Sequence, residues 1–120
     1  MKSYRDLEIY QLAYKLAIEV HEMSMQLPKY ELYEQGSQIR RSSKSIKDNI
    51  AEGFGRRRYK VEFIRFLIFA HSSCDETISQ LNMISDIHFP EKPLSDLMTS
   101  YEQLSKQINK FIQYVEGNWK

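Results

Sequence analysis

A chain of 120 residues with 42% apolar and 28% charged side chains has the size and balance of one globular domain around a single core, far from the disordered class. The longest charge-free apolar run, Phe66 to Ala70, is too short to span a bilayer, and Met1 to Asp6 has no signal-peptide character, so no membrane is expected as a partner. The one cysteine, Cys74, forms no internal disulfide, which agrees with a cytoplasmic protein.

Four helical segments follow one another. The first is predicted from about Leu7 to Leu27, with Ser3 and Asp6 placed as a capping pair ahead of it and Pro28 closing it. Its apolar residues Tyr10, Ala13, Tyr14, Ala17, Ile18 and Met25 recur at helical spacing. The second, from about Glu31 to Glu52, is interrupted by Gly36 and resolves into three stripes when residues are set at 100° intervals. Ile39, Ser43, Ile46 and Ile50 form its core stripe, Arg40, Lys44 and Lys47 one flank, and Gln38, Ser42, Ser45 and Asn49 the other; Gly53 and Gly55 are expected to end it.

The third segment, from about Tyr59 to Asp86, places Phe63, Leu67, Ala70, Cys74, Thr77, Leu81 and Ile84 in alternating steps of four and three, a heptad seam. Ile87 to Lys92 forms a break. After Pro93 the seam repeats with Leu94, Leu97, Tyr101, Leu104, Ile108, Phe111 and Val115, and Gly117 is placed to end the helix. Helices of roughly twenty residues reach about 30 Å, and breaks this short make consecutive ones antiparallel. The predicted fold is all-α, a single domain over residues 1–120 forming an antiparallel up-and-down four-helix bundle.

The residue types that catalysis needs do not assemble in the sequence. His21, His71 and His88 fall on three different elements without a carboxylate at motif spacing. His21-Glu22-Met23-Ser24-Met25 begins like a zinc-protease helix but has no second histidine, and Cys74 on the heptad seam reads as a small apolar filler. No catalytic, cofactor or metal site is expected.

Two surfaces stand out instead. Phe63 to Ala70 is apolar on nearly every face, so Ile64, Ile68 and Phe69 face water in a monomeric bundle unless the first or last helix covers them. With the uncharged stripe of Gln38, Ser42, Ser45 and Asn49, which is cheap to desolvate, they are the expected interface of a homo-oligomer. Residues 40–65 hold nine basic against three acidic side chains, a net of +6, while the flanking stretches are both acidic. Arg40, Arg41, Lys44, Lys47, Arg56, Arg57, Arg58 and Lys60 are accordingly the candidate phosphate contacts, with Tyr59 and Phe54 as stacking surfaces. Against this, Lys44 with Asp48 and Arg58 with Glu62 are spaced as ordinary surface ion pairs, and Arg40 or Arg41 is placed to brace the second helix against an acid. Tyr4, Trp119 and Lys120 carry no functional expectation.

Tyr4 to Glu8, Leu27-Pro28, Gln38 to Ile46, Asn49-Ile50-Ala51-Glu52-Gly53-Phe54-Gly55-Arg56 and Phe63 to Leu67, in that order, resemble the intervening-sequence proteins, small bacterial four-helix-bundle proteins encoded in insertions within large-subunit ribosomal RNA genes. The likeness runs over about residues 4–84, with Asn49 to Gly53 as its most specific motif; beyond it only the helical period is shared. The resemblance implies an antiparallel bundle assembling as a homopentamer, with no enzymatic activity and no cofactor. Related accessory proteins of diversity-generating retroelements share that fold and bind nucleic acid and a reverse transcriptase, which implies RNA or DNA as a partner. A scaffold that meets only an acidic protein partner is the competing expectation. The chain departs from the family at Ser42-Ser43, where small apolar residues are usual, and at Ser72-Ser73, where Gly-Ser is usual.

Overall fold

The computed structural model describes residues 2–119; Met1 and Lys120 lie outside the described residues. A 3₁₀ turn, Tyr4–Asp6, leads into α1, Glu8–Ser24, and a one-turn helix α2, Lys29–Leu32, precedes α3, Gln35–Gly55; α4, Lys60–His88, and α5, Ser95–Asn118, complete the chain. The four long helices form the expected antiparallel up-and-down bundle. In it α1 and α4 stand on a diagonal, each packed against α3 and α5. The 29 residues of α4 span about 43 Å at 1.5 Å per residue, which accounts for most of the 48 Å long axis.

The seams of α3 and α4 are buried as their spacing predicts; in α5 Tyr101, Leu104, Ile108 and Val115 are buried, Ile112 lies deeper than Phe111, and Leu94 and Leu97 at its start are only partly buried. In α1 the buried face is rotated from the expected one. Ile9, Ala13, Leu16, Val20 and Met23 enter the core, while Tyr14, Ile18 and Met25 are about half exposed. The buried set alternates steps of four and three without a gap, and each large side chain fully buried contributes roughly 1.5–3 kcal/mol. Tyr14, Ile18 and Met25 keep helical spacing among themselves but stand outside the core, Tyr14 and Ile18 beside α3.

Local chemistry sets the element ends. Ser3 and Asp6 do form a capping box, on the 3₁₀ turn: Arg5 N donates to Ser3 Oγ at 3.2 Å and Ser3 N to Asp6 Oδ2 at 3.1 Å. The Lys2 and Ser3 backbone N–H groups, both donating to Asp6 Oδ2, hold the Asp6 carboxyl below its usual range. Pro28 separates α1 from α2. The two interior glycines do not break α3. Gly36 sits in its first turn, where an added Cβ would come within 3.0 Å of both Glu31 O and the Arg40 guanidinium, and α3 runs through Gly53 to Gly55. Gly53 marks instead a close approach of α3 and α4, because a Cβ there would lie 3.1 Å from Phe66 Cβ and 3.3 Å from Phe63 O. The chain end is tied down as well: the Trp119 ring packs 5.2 Å from Phe63, and its indole nitrogen donates to Arg57 O.

Candidate functional site

The basic stretch is less free than its sequence suggests. Arg40 points toward α1, where Nη1 donates to Ser24 Oγ at 2.9 Å and Nη2 to Leu32 O at 2.7 Å. It braces α3 against the end of α1 and the turn of α2, through a hydroxyl and a carbonyl rather than an acid. Lys47 pairs with Asp48 at 2.6 Å, a contact that holds its ammonium above the ordinary range against the opposing effect of partial burial. Arg56, just past the helix end, folds back on Glu52 at 2.8 Å and reaches Glu62 at 3.2 Å, with its guanidinium 4.7 Å from the Phe66 ring. Arg57 donates to Phe54 O and stacks 4.0 Å over that ring. Lys60 donates to Glu116 O at 2.7 Å, a cation at the carbonyl end of α5.

Arg40, Lys47, Arg56, Arg57 and Lys60, read from the sequence as candidate phosphate contacts, are therefore engaged within the chain instead. The anticipated pairs are corrected too: Asp48 takes Lys47 rather than Lys44, and Glu62 takes Arg56 and Arg65 rather than Arg58. Of the eight candidate cations, Arg41, Lys44 and Arg58 remain exposed and form no ion pair with the described residues. Phe54 is buried and offers no stacking face, whereas Tyr59 is exposed.

The uncharged stripe packs within the chain. Ser42, which was expected at a subunit interface, is buried between α3 and α4, donating to Gln80 Oε1 at 2.8 Å and accepting from Thr77 Oγ1 at 2.9 Å. Ser45 Oγ and Ser73 Oγ lie 2.9 Å apart, and Asn49 Nδ2 donates to Ser45 O. Gln38 alone of the stripe is fully exposed. Ser42 and Ser73, two of the positions where the sequence departs from its likeness, thus hydrogen-bond across one seam, and Ser43 Oγ donates to Arg40 O. Small hydroxyls replace close apolar packing there without leaving an unsatisfied donor.

The motif from Asn49 to Gly53 acquires a structural meaning at the same place. Ile50 is core, Gly53 is the α3–α4 crossing, Asn49 bonds along the seam, and Glu52 receives Arg56. A family model described as 23S rRNA-intervening sequence protein matches residues 5–110. The chain belongs to this family. No curated protein matches it. The family match extends past residue 84 through most of α5, where the sequence likeness was one of period alone.

In this intervening-sequence family member two faces of the long helices leave apolar side chains exposed. On α4, Val61 is 77%, Ile68 48% and Phe69 39% exposed, with Ile64 half-buried beside them. Neither α1 nor α5 covers Ile68 or Phe69. On α1 the face of Tyr14 and Ile18 borders α3, and with Ala17, His21, Glu22, Lys44 and Lys47 it forms an open groove, with Met25 exposed beyond it. Sequence reasoning missed this second face because it assigned those residues to the core. The signal that finds it is the uninterrupted heptad of Ile9, Ala13, Leu16, Val20 and Met23, which leaves Tyr14 and Ile18 outside.

The histidines also differ from expectation. Because α4 extends to His88, His71 and His88 share one helix, and both meet carboxylates: His71 Nδ1 lies 3.7 Å from Asp75, and His88 Nε2 2.8 Å from Glu31 in a nearly buried contact that pins α2 to the end of α4. His71 Nε2 also lies 3.1 Å from Ser105 Oγ, a hydrogen bond that ties α4 to α5, whereas the partner of His88 is the Glu31 carboxylate. Among the described residues no three of His, Cys, Asp and Glu gather as a metal site, and no helix is long and apolar enough to cross a membrane. Burial, with Asp75 and Glu102 nearby, pushes the Cys74 thiol up to about 12, so it is not an activated thiolate.

Proposed function

We propose that this chain is a non-enzymatic, self-associating helical bundle, pentameric as its resemblance implies, whose work is done by the assembly rather than by a pocket. The exposed face of Val61, Ile68 and Phe69 carries this reading, because a contiguous apolar patch on a helix of a small bundle marks an interface. Light scattering across a size-exclusion peak, with absorbance at 260 and 280 nm, tests it. Several chains of 14.3 kDa per particle support the proposal, and a monomer at micromolar concentration overturns it.

A second reading is nucleic-acid association through Arg41, Lys44 and Arg58. The observation that favours it is their exposure without an ion pair among the described residues, since adjacent uncompensated cations attract phosphate. Repetition of these cations around an assembly raises the local positive potential without new residues. Elevated 260 nm absorbance that nuclease removes supports this reading; a particle free of nucleic acid that binds neither RNA nor DNA overturns it and leaves the protein-binding scaffold.

A further inference from the structure

The two exposed apolar faces lie on helices that stand diagonally across the bundle. The face on α4 is built from Val61, Ile64, Ile68 and Phe69; the groove on the other side is lined by Tyr14 and Ile18 of α1 and by Lys44 and Lys47 of α3. A two-fold contact of either face with itself covers one face and leaves the other in water. A head-to-tail contact covers both with a single kind of interface.

Charge separates these possibilities further. Along α4 from Val61 to Met83, Glu62 is taken up by Arg56 and Arg65, and Asp75 and Glu76 are the exposed acids, about two turns from Ile68. The groove is lined by Lys44 and Lys47 against Glu22, and of the two lysines Lys44 forms no ion pair with the described residues while Lys47 is held by Asp48. Pairing the α4 face with itself sets acid against acid, and pairing the groove with itself sets lysine against lysine. Pairing one with the other sets opposite charges together. The spacing agrees, because Val61, Ile64 and Ile68 step by three and four, and Tyr14, Ile18 and Met25 by four and seven. Both are heptad positions that interdigitate as knobs into holes.

We propose that the outer face of α4 in one copy docks into the α1–α3 groove of a second copy. The occupant of each face is thus another molecule of the same chain, in a heterologous contact that propagates until the rotation closes. This rests on the self-association proposed above.

Complementation tests the mode directly. Ile68→Asp breaks only the α4 face and Ile18→Asp only the groove; both side chains are about half exposed, so the bundle beneath is expected to keep its helicity by circular dichroism. Val61→Asp and Tyr14→Asp serve if either variant loses structure, being on the same faces. Each variant alone should run as a single chain of 14.3 kDa, and an equimolar mixture should yield a particle of twice that mass and no larger, since one intact face remains on each partner. A mixture that stays monomeric, or a variant that keeps the wild-type mass, overturns the docking mode. If the wild-type protein is itself monomeric, self-association falls and this mode with it. An oligomeric wild type whose variants fail to complement rejects the mode alone.

Discussion

Cys74 lies wholly inside the bundle, its thiol 3.5 Å from the carbonyl oxygen of Tyr101, and burial moves it from an ordinary 9.0 up to about 12. The Tyr101 phenol, fully buried and without a partner among the described residues, is raised as well, chiefly by desolvation. Both stay neutral in the fold while the unfolded chain ionises. As pH rises past 9 the unfolded state therefore holds fewer protons than the folded state, and stability falls. It is undiminished below pH 9 and declines toward pH 12, each group adding a slope that approaches about 1.4 kcal/mol per pH unit. Urea unfolding from about pH 7 to about pH 11 should show this decline, and Cys74→Ala should flatten its first part, before tyrosine ionises. An unchanged curve for the variant would mean that the folded protein accommodates the thiolate.

At the scale of the element, α3 and α4 cross where Gly53 lacks a side chain, and its neighbours there are the Phe66 Cβ and the Phe63 carbonyl, neither of which can swing aside. Gly53→Ala gains about 1 kcal/mol of helix propensity but forces the helices apart, at a cost of about 1–3 kcal/mol for overpacking, so a net loss of stability is expected. Gly55, in the same helix with nothing within 4 Å of its Cβ position, should respond oppositely: Gly55→Ala gains up to about 1 kcal/mol. Thermal melts of the two variants decide it, and equal shifts would place the crossing elsewhere. The sequence alone suggests that both glycines end the helix, because glycine as terminator and glycine as close contact look alike until the partner helix is known. Helical period, by contrast, was legible wherever apolar residues fell in one unbroken seam, as in α4. It misled in α1, where tyrosine, isoleucine and methionine populate two adjacent stripes and only one faces the core.

For the molecule as a whole, the +6 of residues 40–65 overstates what a partner meets. The concentration of charge was legible in the sequence, but its engagement was not, since Arg40 is held by Ser24 Oγ of α1 as well as by Leu32 O of the adjoining α2, and Lys60 by Glu116 O at the far end of the chain. Removing an engaged cation and removing an exposed one should therefore have opposite signatures. Arg40→Ala leaves Ser24 Oγ and Leu32 O without their charged donor and should cost about 1.5–3 kcal/mol per hydrogen bond at most, while leaving the salt dependence of nucleic-acid binding unaltered. Arg41→Ala, Lys44→Ala and Arg58→Ala should leave the melting temperature within about one degree, because exposed cations without buried partners contribute little to stability. If these side chains contact phosphates, each such change should instead make the slope of log affinity against log salt shallower by about 0.7–0.9 per subunit engaged. Titration of labelled RNA and DNA across a salt series reads both signatures at once. A slope that responds to Arg40 but not to Arg41, Lys44 or Arg58 would move the anion-binding surface to the seam between α1 and α3 and remove it from the exposed flank of α3.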